Sequence, residues 1–152
     1  MKFQIDEYRA LIADFYKLMR KHRKIASVAL NADSWTLQEM VGHLIDSASN
    51  NHQRFIRLQL SVCLVLPAYD AEEWKKVSKA GTMDYRFLTD FWKRYNEFLL
   101  LLIERLDPSS LANVWETDKG DITLESLVGD YFGHIRWHLA LFERRAAEIR
   151  AV

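Results

Sequence analysis

Thr36-Leu37-Gln38-Glu39-Met40-Val41-Gly42-His43-Leu44-Ile45-Asp46-Ser47-Ala48 opens the stretch that decides the fold. Thr36 and Glu39 have the spacing of a capping box, in which a hydroxyl and a carboxylate three residues apart satisfy the free amides of a helix start. Beyond them Val41, Leu44, Ile45, Ala48, Phe55, Ile56 and Val62 recur at helical steps. The spacing predicts a helix from about Thr36 to Leu64 with one apolar side.

Three other stretches carry the same period. The first runs from about Ile5 to Val28, with Tyr8, Leu11, Phe15, Leu18, Met19 and Ile25 inward. A third long helix covers about Tyr85 to Leu106, with Leu88, Phe91, Trp92, Tyr95, Leu99, Leu102 and Leu106 inward, and Asp107-Pro108 stops it. The last runs from about Leu124 to Arg150, behind Thr123 as N-cap. Between the second and third lies a long connection, Pro67 to Thr82, holding a short helix from Ala71 to Val77. Between the third and fourth, Asp118 to Asp121 reads as a tight turn at the tip of a small hairpin. Four long helices joined in this way predict an all-α four-helix bundle with long connections between helices 2–3 and 3–4. No repeat or linker interrupts the pattern, so residues 1–152 are expected to form a single domain.

Composition narrows the function classes. With 21 basic and 21 acidic residues the chain has no net charge, which gives no electrostatic case for nucleic acid or anionic membranes as partners. The run Arg20-Lys21-His22-Arg23-Lys24 reads as the solvated end of the first helix. The longest apolar run, Phe98 to Ile103, is far shorter than the ~20 residues a bilayer requires. The N-terminus is charged from Lys2 and does not read as a signal peptide. A lone Cys63, read as a packing residue, excludes an intramolecular disulfide and fits a reducing, cytoplasmic setting.

Chemistry enters with the histidines. His134 and His138 are four residues apart on the last helix, a spacing that stacks side chains about 5–6 Å apart on one face. His138 falls within the apolar stripe of Leu127, Val128, Tyr131, Ile135, Leu139, Phe142 and Ile149, and His134 lies along its margin. Such a pair can grip a metal ion if a third ligand arrives, or each ring can hydrogen-bond at the core edge and do nothing more. His43 is the third candidate. It shares a face with Met40, Ser47, Asn50 and Arg54, a polar line that reads either as a pocket wall or as a solvated bundle edge. His52 lies about half a turn round the helix from His43 and is expected to hydrogen-bond or face solvent. Asp46 and Asp130 are candidates to orient the imidazoles. Ile135 follows His134, so the zincin motif and its glutamate base are absent, and no catalytic residue can be singled out.

At these residues the sequence resembles a known family. Trp35 to Ser47, Asn50 to Arg57, Pro67-Ala68-Tyr69-Asp70 leading to Trp74, and Ile122 to Glu125 leading to Tyr131-Phe132-Gly133-His134 and His138 are similar to the DinB/YfiT-like superfamily. This group comprises bacterial four-helix bundles regarded as metal-dependent enzymes. The resemblance implies that His43, His134 and His138 hold a divalent metal, with Zn²⁺ or Ni²⁺ favoured. It implies hydrolysis, or transfer of a low-molecular-weight thiol as co-substrate, and often a homodimer. Some relatives carry further histidines where this chain has Arg136 and Trp137.

The reading that follows is an enzyme acting on a small molecule through water or thiol activated at that metal. Ser47, Asn50 and Arg54 would form the substrate pocket, Arg54 suiting a carboxylate. Tyr69 and Trp74 would pack the long connection onto the bundle or form part of a lid. The rival is a non-catalytic, stress-related binding module with a structural or vestigial metal site.

Overall fold

The computed structural model describes residues 3–152, so Met1 and Lys2, where the N-terminal charge begins, lie outside it. Four long helices make the bundle: α1 (Ile5–Lys21), α2 (Leu37–Leu60), α4 (Tyr85–Ile103) and α5 (Leu124–Arg150), with a short α3 (Ala71–Ser78) between α2 and α4. Three short strands, β1 (Cys63–Val65), β2 (Val114–Thr117) and β3 (Gly120–Thr123), stand in the two long connections.

Side-chain caps start α2, α3, α4 and α5, whereas α1 begins at Ile5 without one. Thr36 Oγ1 accepts from the Glu39 amide at 3.1 Å, and Glu39 Oε2 accepts from the Thr36 amide at 2.9 Å, closing the capping box. Thr123 caps α5 through the Ser126 amide, Asp84 caps α4 through Phe87, and Asp70 caps α3 through Glu73.

Two helix ends fall short of the periodicity. α1 stops at Lys21 instead of Val28, because the chain tightens into a 3₁₀ turn at Arg23–Ile25 and the Ala26 carbonyl accepts from the Gln38 amide of α2. α2 stops at Leu60 rather than Leu64, because residues 63–65 leave the helix to pair in parallel with β2. Val62, expected inward, is therefore 77% exposed. β2 and β3 form the expected hairpin, in which Thr117 pairs with Gly120. Gly120 has φ +115°, a conformation available to glycine and strained for other residues.

In the bundle α1 and α2 each pack against both α4 and α5. Phe15, Trp92 and Phe142 meet edge to face at the centre, with ring centroids 5.3 and 5.5 Å apart. Tyr8 stacks on Phe132 at 3.7 Å. Each such buried side chain contributes about 1.5–3 kcal/mol of hydrophobic stabilisation. Among the described residues no helix is long and apolar enough to cross a membrane. For function the decisive neighbours are α2 and α5, which bring His43 opposite His134 and His138.

Candidate metal centre

Gly42, one residue before His43, lies so close to Ala80 that a methyl group in its place would overlap the Ala80 side chain. Gln38, one turn earlier, donates from its amide to the Ala80 and Met83 carbonyls. These contacts seat this part of α2 against the connection to α4. From this seat His43 reaches the α5 pair. Its ring centroid is 4.8 Å from His138 and 5.4 Å from His134, and Nε2 of His138 lies 2.9 Å from Nε2 of His134. One nitrogen of each ring lies within 4.8 Å of the others.

Burial shapes the electrostatics. Desolvation pushes His43 down to about 4 and His138 down to about 3, and lowers His134 below the ordinary imidazole value. The rings are therefore neutral at pH 7, with lone pairs free to coordinate. Nδ1 of His43 and Nδ1 of His138 are buried without a hydrogen-bond partner. Three neutral imidazoles, two of them with an unpartnered buried nitrogen, form a donor set that fits a divalent ion.

Two cavities meet at His134. One, about 450 Å³, is lined by His43, His138, Trp35, Met40, Trp137 and Leu141 beside His134. The other, about 270 Å³, is lined by Ser47, Asn51, Arg54, Tyr69, Trp115 and Asp130 beside the same His134. A larger hollow of about 770 Å³ between Phe3–Glu7 and Ile103–Leu111 has no histidine or cysteine in its lining, so its size carries no chemical weight.

The expected pocket residues divide. Ser47 and Arg54 line the second cavity. Asn50 does not: Asn51, one step further round α2, takes the place beside Arg54, and both amides donate to the carbonyl four residues earlier at 2.9 Å. Neither Asp46 nor Asp130 hydrogen-bonds an imidazole of the trio. Asp46 is half-buried, and loss of water pushes its carboxyl up to about 6, whereas Asp130 is exposed on the cavity wall. Tyr69 lines the cavity with its ring 6.2 Å from His43, and Trp74 packs on Tyr69 at 5.0 Å while remaining partly exposed.

Three other readings meet the structure differently. His52 hydrogen-bonds, its Nδ1 2.8 Å from the Tyr95 hydroxyl. His22 is not solvated. The early end of α1 turns it inward, where it is 6% exposed beside Phe142 and accepts from Arg150 Nε at 3.2 Å. Cys63 does not pack. Strand alternation buries Leu64 and leaves Cys63 exposed, its thiol donating to Glu116 at 2.9 Å. Trp115, Asn51 and Arg145 were not anticipated. Trp115 lies on a four-residue strand with no helical period to flag it.

The fold and site define a four-helix bundle with a three-histidine cluster between its second and last helices. No protein-family model matches the chain. It is 31% identical over 111 residues to the "Putative metal-dependent hydrolase YfiT" of Bacillus subtilis, a match that covers 70% of this chain and spans 61% of that protein's length. It is 25% identical over 149 residues to the "Putative metal-dependent hydrolase OB0782" of Oceanobacillus iheyensis, covering 90% of this chain and 82% of that protein. The solved structure of Bacillus subtilis YfiT, described as "a probable metal-dependent hydrolase with an unusual four-helix bundle topology", superposes with a TM-score of 0.71 at 19% identity. It covers 97% of this chain and 90% of that one. The chain is thus similar in sequence to proteins named putative metal-dependent hydrolases and shares the four-helix-bundle fold of YfiT.

Proposed function

We propose that the protein is a metal-dependent enzyme in which His43, His134 and His138 hold a divalent ion, Zn²⁺ or Ni²⁺, and in which water or a low-molecular-weight thiol attacks a small-molecule substrate. The observation that carries this reading is the convergence of three imidazole nitrogens within 4.8 Å of one another, at the junction of two cavities. Three protein ligands leave a position for reactants, as catalytic sites do and closed structural sites do not. Bound there, a divalent ion would supply Lewis acidity that eases removal of a proton from water or a thiol near neutral pH.

The chain's own side chains would do the rest. Tyr69, whose phenol burial pushes up to about 12, stays protonated and hydrogen-bonds with Ser47 on the wall of the polar cavity. Trp35 and Met40 form a water-poor wall beside His43. No carboxylate follows His134, where Ile135 stands, and the carboxylate that shares a cavity wall with His134 is Asp130, a candidate base for hydrolysis. A thiol, which ionises near pH 8.5, needs less help than water.

We also read the chain as a single-domain, cytoplasmic homodimer. The support for a second copy is the outward line of Phe87, Phe91, Phe98 and Leu101 on α4, each 43–63% exposed. Assays of metal-loaded protein for ester and amide cleavage, beside thiol conjugation to a generic electrophile, test the activity. Conjugation that disappears in His138→Ala is expected. Bound metal with no turnover in either assay would favour the non-catalytic binding module.

A further inference from the structure

Arg54 is a buried cation without a counter-ion. It is 6% exposed, yet among the described residues no carboxylate pairs with it and its Nε has no hydrogen-bond partner. Its one side-chain hydrogen bond is long, 3.5 Å from Nη1 to Asn51 Oδ1. Arg145, in the other cavity, shows the ordinary arrangement, with Glu148 at 3.1 Å and the Trp35 carbonyl at 2.8 Å. A guanidinium carries five donors in a planar fork, and proteins rarely bury one unless something accepts from it.

One face of Arg54 is occupied. Its guanidinium carbon lies 3.9 Å from the Trp115 ring centroid, and the indole is itself pinned by Nε1 donating to the Leu66 carbonyl at 2.7 Å. Stacking of this kind engages the flat face of the fork and leaves its in-plane N–H groups for a planar anion. The cavity of about 270 Å³ that Arg54 lines also contains the Ser47 and Tyr69 side chains and His134. Asp130 shares the wall but is exposed and does not pair with Arg54.

We propose that this cavity is a carboxylate-binding subsite, in which Arg54, backed by Trp115, grips a carboxylate of the small molecule handled at the histidine centre. The substrate class is then a small carboxylic acid, with its remaining portion beside His134 and the cavity walled by Trp35 and Met40 available to an apolar part. What the anion is there to do rests on the function proposed above. Its binding does not, because no metal is needed to fill the Arg54 fork.

The test is titration of chelator-treated full-length protein with succinate, and with succinamide as its neutral counterpart, followed by the indole N–H resonance of Trp115 assigned through Trp115→Phe. Succinate is expected to shift that resonance saturably. In Arg54→Lys, which keeps the charge and loses the fork, the Kd should rise about tenfold or more. Arg54→Gln serves as the comparison if the lysine variant does not fold. No saturable shift with succinate, an equal response to succinamide, or an unchanged Kd in the folded variant would overturn the subsite. Metal uptake measured on the same samples separates this failure from failure of the metal centre.

Discussion

Gly42 and Ala80 touch so closely that α2 has room for only a hydrogen at position 42. The contact lies one residue before His43. Alanine is a better helix former than glycine by about 1 kcal/mol, but overpacking a seated contact costs about 1–3 kcal/mol. Gly42→Ala should therefore gain nothing and lower stability by up to about 2 kcal/mol. Gly133 on α5 meets nothing within 4 Å, so Gly133→Ala should raise stability by about 0.5–1 kcal/mol. Denaturant midpoints of the two variants check the pair; equal shifts would mean that the close approach is not there.

Asp46 should make stability fall as pH rises. Its carboxyl is pushed up to about 6 by burial, against 3.8 in an exposed state, so the folded protein holds the proton more tightly than the unfolded chain. The resulting penalty is absent below pH 4, grows between pH 4 and 6, and is complete above. Asp46→Asn removes it and should gain roughly 1–3 kcal/mol at pH 8, with no gain at pH 3.5. Melting temperatures of both proteins across that range would show it, and a gain independent of pH would contradict it.

The exposed aromatic line on α4 should carry self-association. Phe87 and Phe91 stack outward at 6.1 Å, and Phe98 packs on His52 at 5.3 Å with about half its surface open. Phe91→Asp with Phe98→Asp should convert a dimer to a monomer in light scattering while the helical signal is retained. A wild type that is monomeric at all concentrations would remove the dimer.

The long helices were legible from their periods, reinforced for α2 and α5 by the caps at Thr36 and Thr123. Thr36, Thr123, Asp84 and Asp70 all cap in the structure, and Leu44, Phe55, Trp92 and Phe142 all lie in the core. The helix faces made His43 a candidate partner for His134 and His138 but left an ordinary hydrogen-bonding role open for each, and it was the family resemblance that joined the three. What stayed hidden depends on contacts between distant segments. β1 is three residues long, and its parallel pairing with β2 reaches across some fifty residues, which no local pattern records. Trp115 therefore reaches Arg54 unannounced. His22 was read as solvated because its neighbours are cations; its burial follows from where α1 ends, which Gln38 and Ala26 decide together. Asn50 and Asn51 could not be ranked from sequence, as both amides bond back to their own helix and only one step of rotation puts Asn51 on the cavity wall.

The central claim concerns three imidazoles, and metal content tests it most directly. Protein purified, stripped and dialysed against Zn²⁺ or Ni²⁺ should retain about one ion per chain and melt at a higher temperature than the stripped protein. His138→Ala, folded by circular dichroism, should retain far less. A folded wild type that keeps no metal and gains no thermal stability, or a His138→Ala variant that binds as the wild type does, would contradict the account.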